Sequence, residues 1–369
     1  MAASPTSSLD SVLSTSLTLC ERFISSLSPD GRADLPAEVP EAPSPLPLLT
    51  AAATALRAQV TKISLLAITT PFTPSALITC ILPLNESILT SLVTAALLIT
   101  PRTLTLAYSS DCRYSTTSAL KELQGLLRLV HKRGQNKDPK TEVSESEKKS
   151  FTEATGRVWD SCDKLNALAA EDVPGYVVRK TKQWLELMKD AVKELEEWDP
   201  EEEFDRDDPF GQDFSDDDTP PDSEEKNDEN DRAAISAGVK DQALKVLSRI
   251  PQSIHVVIKQ RLEKSKPSPK LSAERITQLG TIMTQTRQIS ELIDESAEGM
   301  YLGDLELCLK KAGEARAVTM QVVELVVPSD SDEETKEDKY IKRALEWIHQ
   351  VDTRRGSSSA KASNEGAKT

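Results

Sequence analysis

Three histidines and five cysteines are the residues that would ordinarily supply a base, a nucleophile or a metal ligand in this chain of 369 residues. His131 falls at a basic helix end, His255 lies beside apolar residues, and His349 sits near the end of the last helical pattern; none has a partner at an HExxH-like spacing. Cys20, Cys80, Cys112, Cys162 and Cys308 are far apart and form no CxxC, which suits reduced thiols rather than a disulfide framework or a zinc ribbon. No GxSxG, Walker A or GxGxxG occurs, so acyl transfer, nucleotide hydrolysis and dinucleotide chemistry lack their usual signatures. The expectation is a protein that is not an enzyme and needs no cofactor or metal.

Binding chemistry is better represented. Between Glu196 and Asp231 stand 19 acidic residues against Arg206 and Lys226, a local charge of −17 in a chain whose total is −15. The low net charge therefore belongs to one segment, and the rest is close to neutral. The run lacks the Gly-centred alternation of a calcium loop, so diffuse counterion binding is expected of its carboxylates. Phe204, Phe210 and Phe214 are interleaved with acids such as Asp216, Asp217 and Asp218. Aromatic anchors in acidic surroundings suit docking into a basic groove, and these six residues are the candidate partner contacts. Ser215, Thr219, Ser329 and Ser331 sit in acidic or proline-directed contexts and are candidate phosphorylation sites. Downstream, Lys240 to Arg275 carries nine basic and three acidic residues, a net of +6 that includes Lys245, Arg249, Lys259, Arg261, Lys264 and Lys266. With no aromatic stacking platform or reading helix beside it, this basic patch is not expected to bind nucleic acid sequence-specifically, and the acidic run is its nearest complement.

The elements that would carry these residues are helical throughout. Leu9, Leu13, Leu17, Cys20, Ile24 and Leu27 step by three or four, and Leu49, Ala53, Leu56, Val60 and Ile63 open a second helix ending before Pro71 and Pro74. A third is expected over 75–100 with a kink at Pro83, a fourth over 102–131, and 132–149 as a polar loop. Phe151, Val158, Cys162 and Leu165 form one stripe. Val177, Thr181, Trp184, Met188, Ala191, Leu195 and Trp198 form the next, with Asp172 as its N-cap and Pro174 in its first turn; Trp159, Trp184, Met188 and Leu195 are the expected core. Beyond the acidic run the helical pattern resumes and continues to Ile348, and no strand or hairpin signal appears. The fold class is all-α, two helical bundles joined by a disordered acidic linker. Its parts are residues 1–46 as an N-terminal helix and proline-rich connector, 47–198 and 232–350 as bundles, 199–231 as linker and 351–369 as a disordered tail.

From Ile63 to Asn85 the chain is uncharged, but three prolines and many hydroxyls interrupt it, and the uncharged run from Ser87 to Pro101 is short for a bilayer; a buried helix is expected rather than a transmembrane segment. No Lys or Arg precedes Arg22, so the start resembles neither a secretory signal nor a transit peptide, and nucleus and cytoplasm are the expected locations.

The stretches Gly156-Arg157-Val158-Trp159-Asp160-Ser161-Cys162-Asp163-Lys164-Leu165 and Met188-Lys189-Asp190-Ala191-Val192-Lys193-Glu194-Leu195-Glu196-Glu197-Trp198, followed by the Phe-bearing acidic run, resemble the cyclin-D-interacting (GCIP) family. The likeness covers most of residues 45–350, and the layout is similar to the family's fungal members. It implies an all-helical, non-enzymatic interaction protein linked to cell-cycle control and repression of transcription, with a cyclin or a transcription regulator as partner. An adaptor at the cytoskeleton or at anionic membranes, working through the basic patch, is the alternative expectation.

Overall fold

The computed structural model describes residues 5–28, 44–101, 103–135, 140–199, 223–264, 271–327 and 335–350. Every regular element among them is helical. The chain divides into two compact units, one built of residues 1–176 with 270–277, the other of 177–269 with 278–369.

The first unit holds α1 (Pro5–Leu27), α2 (Pro45–Ile68), α3 (Pro74–Pro83), α4 (Leu89–Leu98), α5 (Leu106–Gly134) and α6 (Glu145–Ala170). Pro83 lacks an N–H, and the helix answers with one π-helical turn, Leu84–Ile88, before α4 continues. Pro74–Leu98 is long and apolar enough to cross a membrane by length and composition. Here it buries Leu77, Ile81, Leu84, Leu89, Leu92 and Ala96 against α1, α2 and α5 and turns Ser75, Thr79, Glu86, Thr90 and Thr94 outward. The stretch expected as a loop over 132–149 is shorter, because α5 runs on to Gly134 and α6 starts at Glu145. A capping box explains the early start: Ser144 Oγ accepts from the Glu147 amide, and Glu147 Oε2 accepts from the Ser144 amide at 3.0 Å, which holds Glu147 below the usual carboxylate range.

The Gly156–Leu165 stretch lies on α6. Val158, Cys162 and Leu165 are buried, whereas Trp159 is half-buried rather than core. Its indole donates to Thr61 Oγ1 at 3.1 Å, and Arg57 of α2 stacks over the ring at 5.1 Å while pairing with Asp163. Trp159 thus fixes the register of α2 against α6 from the rim of the core.

The second unit takes most of α7 (Val173–Glu197), with α8 (Ser223–Leu247), α9 (Arg249–Val257), α10 (Ala273–Tyr301), α11 (Leu305–Glu324) and α12 (Lys336–His349). Asp172 caps α7 as expected, accepting from the Gly175 amide at 2.7 Å. The division between units falls after Tyr176, well before the boundary near residue 198 that periodicity suggests. From Thr181 onward the buried stripe is Thr181, Leu185, Met188, Val192 and Leu195; Trp184 and Ala191, one position away, are only half-buried. Lys182 pairs with Glu263 at 2.6 Å, and the Trp198 ring meets Tyr301 at 5.5 Å, both within the second unit. The expected acidic linker also ends sooner, since α8 starts at Ser223 instead of after Asp231. The acidic sequence that opens it suits a helix N-terminus, where the macrodipole favours negative charge. Between α10 and α11 the chain turns through Gly303 at φ +72, and Gly299 lets the α11 backbone come close: a Cβ there would lie 2.9 Å from the Cys308 nitrogen.

Met188→Ala is expected to destabilise the protein by about 2–5 kcal/mol, the usual cost of emptying a core site. Hydrogen exchange should rise in α8 to α12 and stay unchanged in α2, α5 and α6; the reverse pattern would place the α7 stripe in the wrong unit.

Candidate protein-interaction surface

Among the thiols, burial pushes Cys20, Cys112 and Cys162 up to about 12, and Cys308 is raised for the same reason. They are packing groups, not nucleophiles at neutral pH. His131 pairs with Asp10 of α1, and His255 and His349 are exposed. Among the described residues no group of three His, Cys, Asp or Glu side chains converges as a metal site.

The basic stretch is largely engaged within its own unit. The Lys240 ammonium donates to the carbonyls of Glu196 and Trp198 at the end of α7, and Arg249 donates to the Trp347 carbonyl at 2.8 Å while stacking on that indole at 5.1 Å. Arg316 of α11 takes the next two carbonyls of the same helix end, Ile348 at 2.9 Å and His349 at 2.8 Å. Arg261 donates to the Val326 carbonyl at 2.9 Å and pairs with Asp338 at the start of α12. Lys259 and Lys182 share Glu263, which they draw below the usual carboxylate range, and Lys264 pairs with Glu337 at 2.6 Å. Of the five described patch residues, Lys245 alone is exposed with no ion pair or hydrogen bond among the described residues. Helix C-termini explain the difference: their last carbonyls have no intrahelical partner, and cations settle there. A count of charges along the sequence does not register that demand.

Asp338 is the most perturbed carboxylate of the group. Bonds from the Thr335 hydroxyl and amide, and then from Arg261, pull it down to about 2. It closes a capping box on α12 and at the same time fastens α12 to the π-helical turn Ile258–Leu262 through Arg261.

What this fastening leaves open is a cleft of about 530 Å³ between α9 and α12. Val256, Ala344, Trp347 and Tyr340 supply its apolar surface, and Arg343 and Glu346 its charges. Tyr340 is 55% exposed, although helical spacing groups it with Ile341. The signal was available: Tyr340 and Trp347 each precede a buried residue, Ile341 and Ile348, and share Ala344 with them, so the apolar face of α12 is wider than its buried stripe. Lys266, Phe204, Phe210, Phe214, Asp216, Asp217, Asp218, Ser215, Thr219, Ser329 and Ser331 lie outside the described residues.

Residues 48–201, from the first turn of α2 to just beyond α7, match the family model described as Grap2 and cyclin-D-interacting, N-terminal. The chain is also similar to an uncharacterized protein of Schizosaccharomyces pombe, with 28% identity over 143 residues, a match that covers 38% of this chain and 38% of the relative. The family-matched stretch includes all of α7, whose stripe from Val177 onward is buried in the second unit.

Asp338 stabilises α12 fully above about pH 4, its unfolded range, and that contribution disappears as pH falls through about 2. Asp338→Asn keeps a capping side chain but loses the charge. Hydrogen exchange in the first turn of α12 should therefore be faster in the variant at neutral pH, with wild type falling to the variant's level between pH 4 and 2; equal protection at pH 7 would contradict the assignment.

Proposed function

We propose that this protein is a non-enzymatic binding module acting in cell-cycle and transcriptional control, with a cyclin as its principal partner, in nucleus and cytoplasm. The observation that carries the reading is the match of residues 48–201 to the cyclin-D-interacting family. Two others support it. The buried thiols are held in their protonated form, and the second unit carries a cleft between helices whose α12 wall is aromatic, the kind of concave site that takes a side-chain anchor from a protein or peptide. The alternative, an adaptor on anionic membranes through the basic stretch, is less favoured, because Arg249, Arg261, Lys259 and Lys264 are engaged at helix ends and in ion pairs.

The test is direct binding of the full-length chain to D-type cyclins and to the G1 cyclins of its own source organism. Saturable binding to at least one of them, absent with an unrelated helical protein of similar charge, is expected. Failure to bind any cyclin, together with retention on liposomes in proportion to anionic lipid content, would overturn the reading in favour of the adaptor.

A further inference from the structure

The cleft between α9 and α12 is lined by Val256, Tyr340, Ala344 and Trp347 as apolar groups, with Arg343 as its cation and Glu346 as its acid. Arg249, outside the lining, stacks on the Trp347 indole and holds that residue's carbonyl. Such a site suits an aromatic side chain flanked by carboxylates: the ring packs against Trp347, and an acidic neighbour meets the Arg343 guanidinium.

The chain carries a sequence of that chemistry. Residues 200–222 hold eleven acidic residues and Arg206, a charge of −10, with Phe204, Phe210 and Phe214 among them. Asp199 and Ser223, the described residues on either side of it, both belong to the unit that contains the cleft. Phe210 stands eleven residues from Asp199 and thirteen from Ser223, so at 3.3–3.6 Å per residue it reaches at most about 36–40 Å from Asp199, and Phe214, nine residues from Ser223, at most about 30–32 Å from that end. Tethering at both ends raises the local concentration of the three phenylalanines to roughly the millimolar range, enough for a modest site to be filled.

We infer that the α9–α12 cleft is the docking site for the chain's own acidic segment 200–222, with one of Phe204, Phe210 or Phe214 seated against Trp347 beside Arg343. The complement of the acidic run is then this cleft rather than the whole of Lys240 to Arg275, most of whose described cations are committed to helix ends and ion pairs. A partner that binds the segment must take it from the cleft, and a partner that binds the cleft must displace the segment. The inference concerns contacts within this chain and holds whichever protein the family-matched helices bind.

The full-length chain with p-benzoylphenylalanine in place of Phe204, Phe210 or Phe214, one at a time, tests it. After irradiation, cross-links from at least one position are expected in the peptides holding Gln252–Val257 or Tyr340–Gln350, in a species of monomer mass. Their yield should fall several-fold in high salt and in an Arg343→Glu background whose circular dichroism matches wild type. Cross-links confined to other helices, or none from any position, would overturn the inference. Cross-links to the cleft found only in dimers would also overturn it, since the occupant would then be a second copy's segment. An Arg343→Glu background without effect on yield would remove the charge complementarity on which it rests.

Discussion

The last carbonyls of a helix have no partner within it, and in the second unit arginine and lysine side chains from other elements provide one. Arg249 and Arg316 between them take the carbonyls of Trp347, Ile348 and His349, closing the end of α12 from two different helices. Arg261 secures the other end, holding the Val326 carbonyl with one nitrogen and Asp338 with another. α12 is short, and only Ile341, Ala344, Ile348 and Asp338 are buried along it. A helix with so narrow a buried face depends on its ends being fixed, and fixing them is what allows Tyr340 and Trp347 to stand as one wall of a cleft instead of collapsing onto the core.

Much of the fold was legible in the sequence. The stripes of α2 and α6 follow residue by residue from three- and four-step spacing at 3.6 residues per turn, α1 buries Leu9, Leu13, Cys20 and Leu27 of its expected stripe but leaves Leu17 and Ile24 half-buried, and Asp172 before Val173-Pro174 announced a helix start. α7 was harder. Its buried set is Thr181, Leu185, Met188, Val192 and Leu195, but Trp184 and Trp198 are larger and draw the apparent stripe to one side. The unit to which α7 packs was not legible at all, since periodicity identifies the buried face without naming the face that covers it. The early starts of α6 and α8 could have been drawn from Ser144-x-x-Glu147 and from the acidic residues after Ser223; a polar composition hid both.

Less of the candidate surface could be read in this way. The sequence shows nine cations from Lys240 to Arg275 and a strongly acidic run before them, and it is natural to pair the two. Burial and hydrogen bonding decide otherwise for Arg249, Arg261 and Lys240, because each has a carbonyl to satisfy in its own unit. The cleft is assembled from residues about ninety positions apart and leaves no local pattern beyond the aromatic pair Tyr340 and Trp347 of α12. In the family-matched stretch the quoted motif is likewise structural: Trp159, with Arg57 and Asp163, joins α2 to α6, and α7 carries the matched sequence into the second unit.

Cations at its carbonyl end hold α12 in place. Native-state hydrogen exchange of Arg249→Gln, Arg316→Gln and the double variant addresses this most directly. Each single variant should shorten protection over the last turn of α12, and the double variant should lose protection along the whole helix while α8 and α11 remain protected. Undiminished protection of α12 in the double variant would show that its burial alone suffices, and that the arginines are incidental to the cleft.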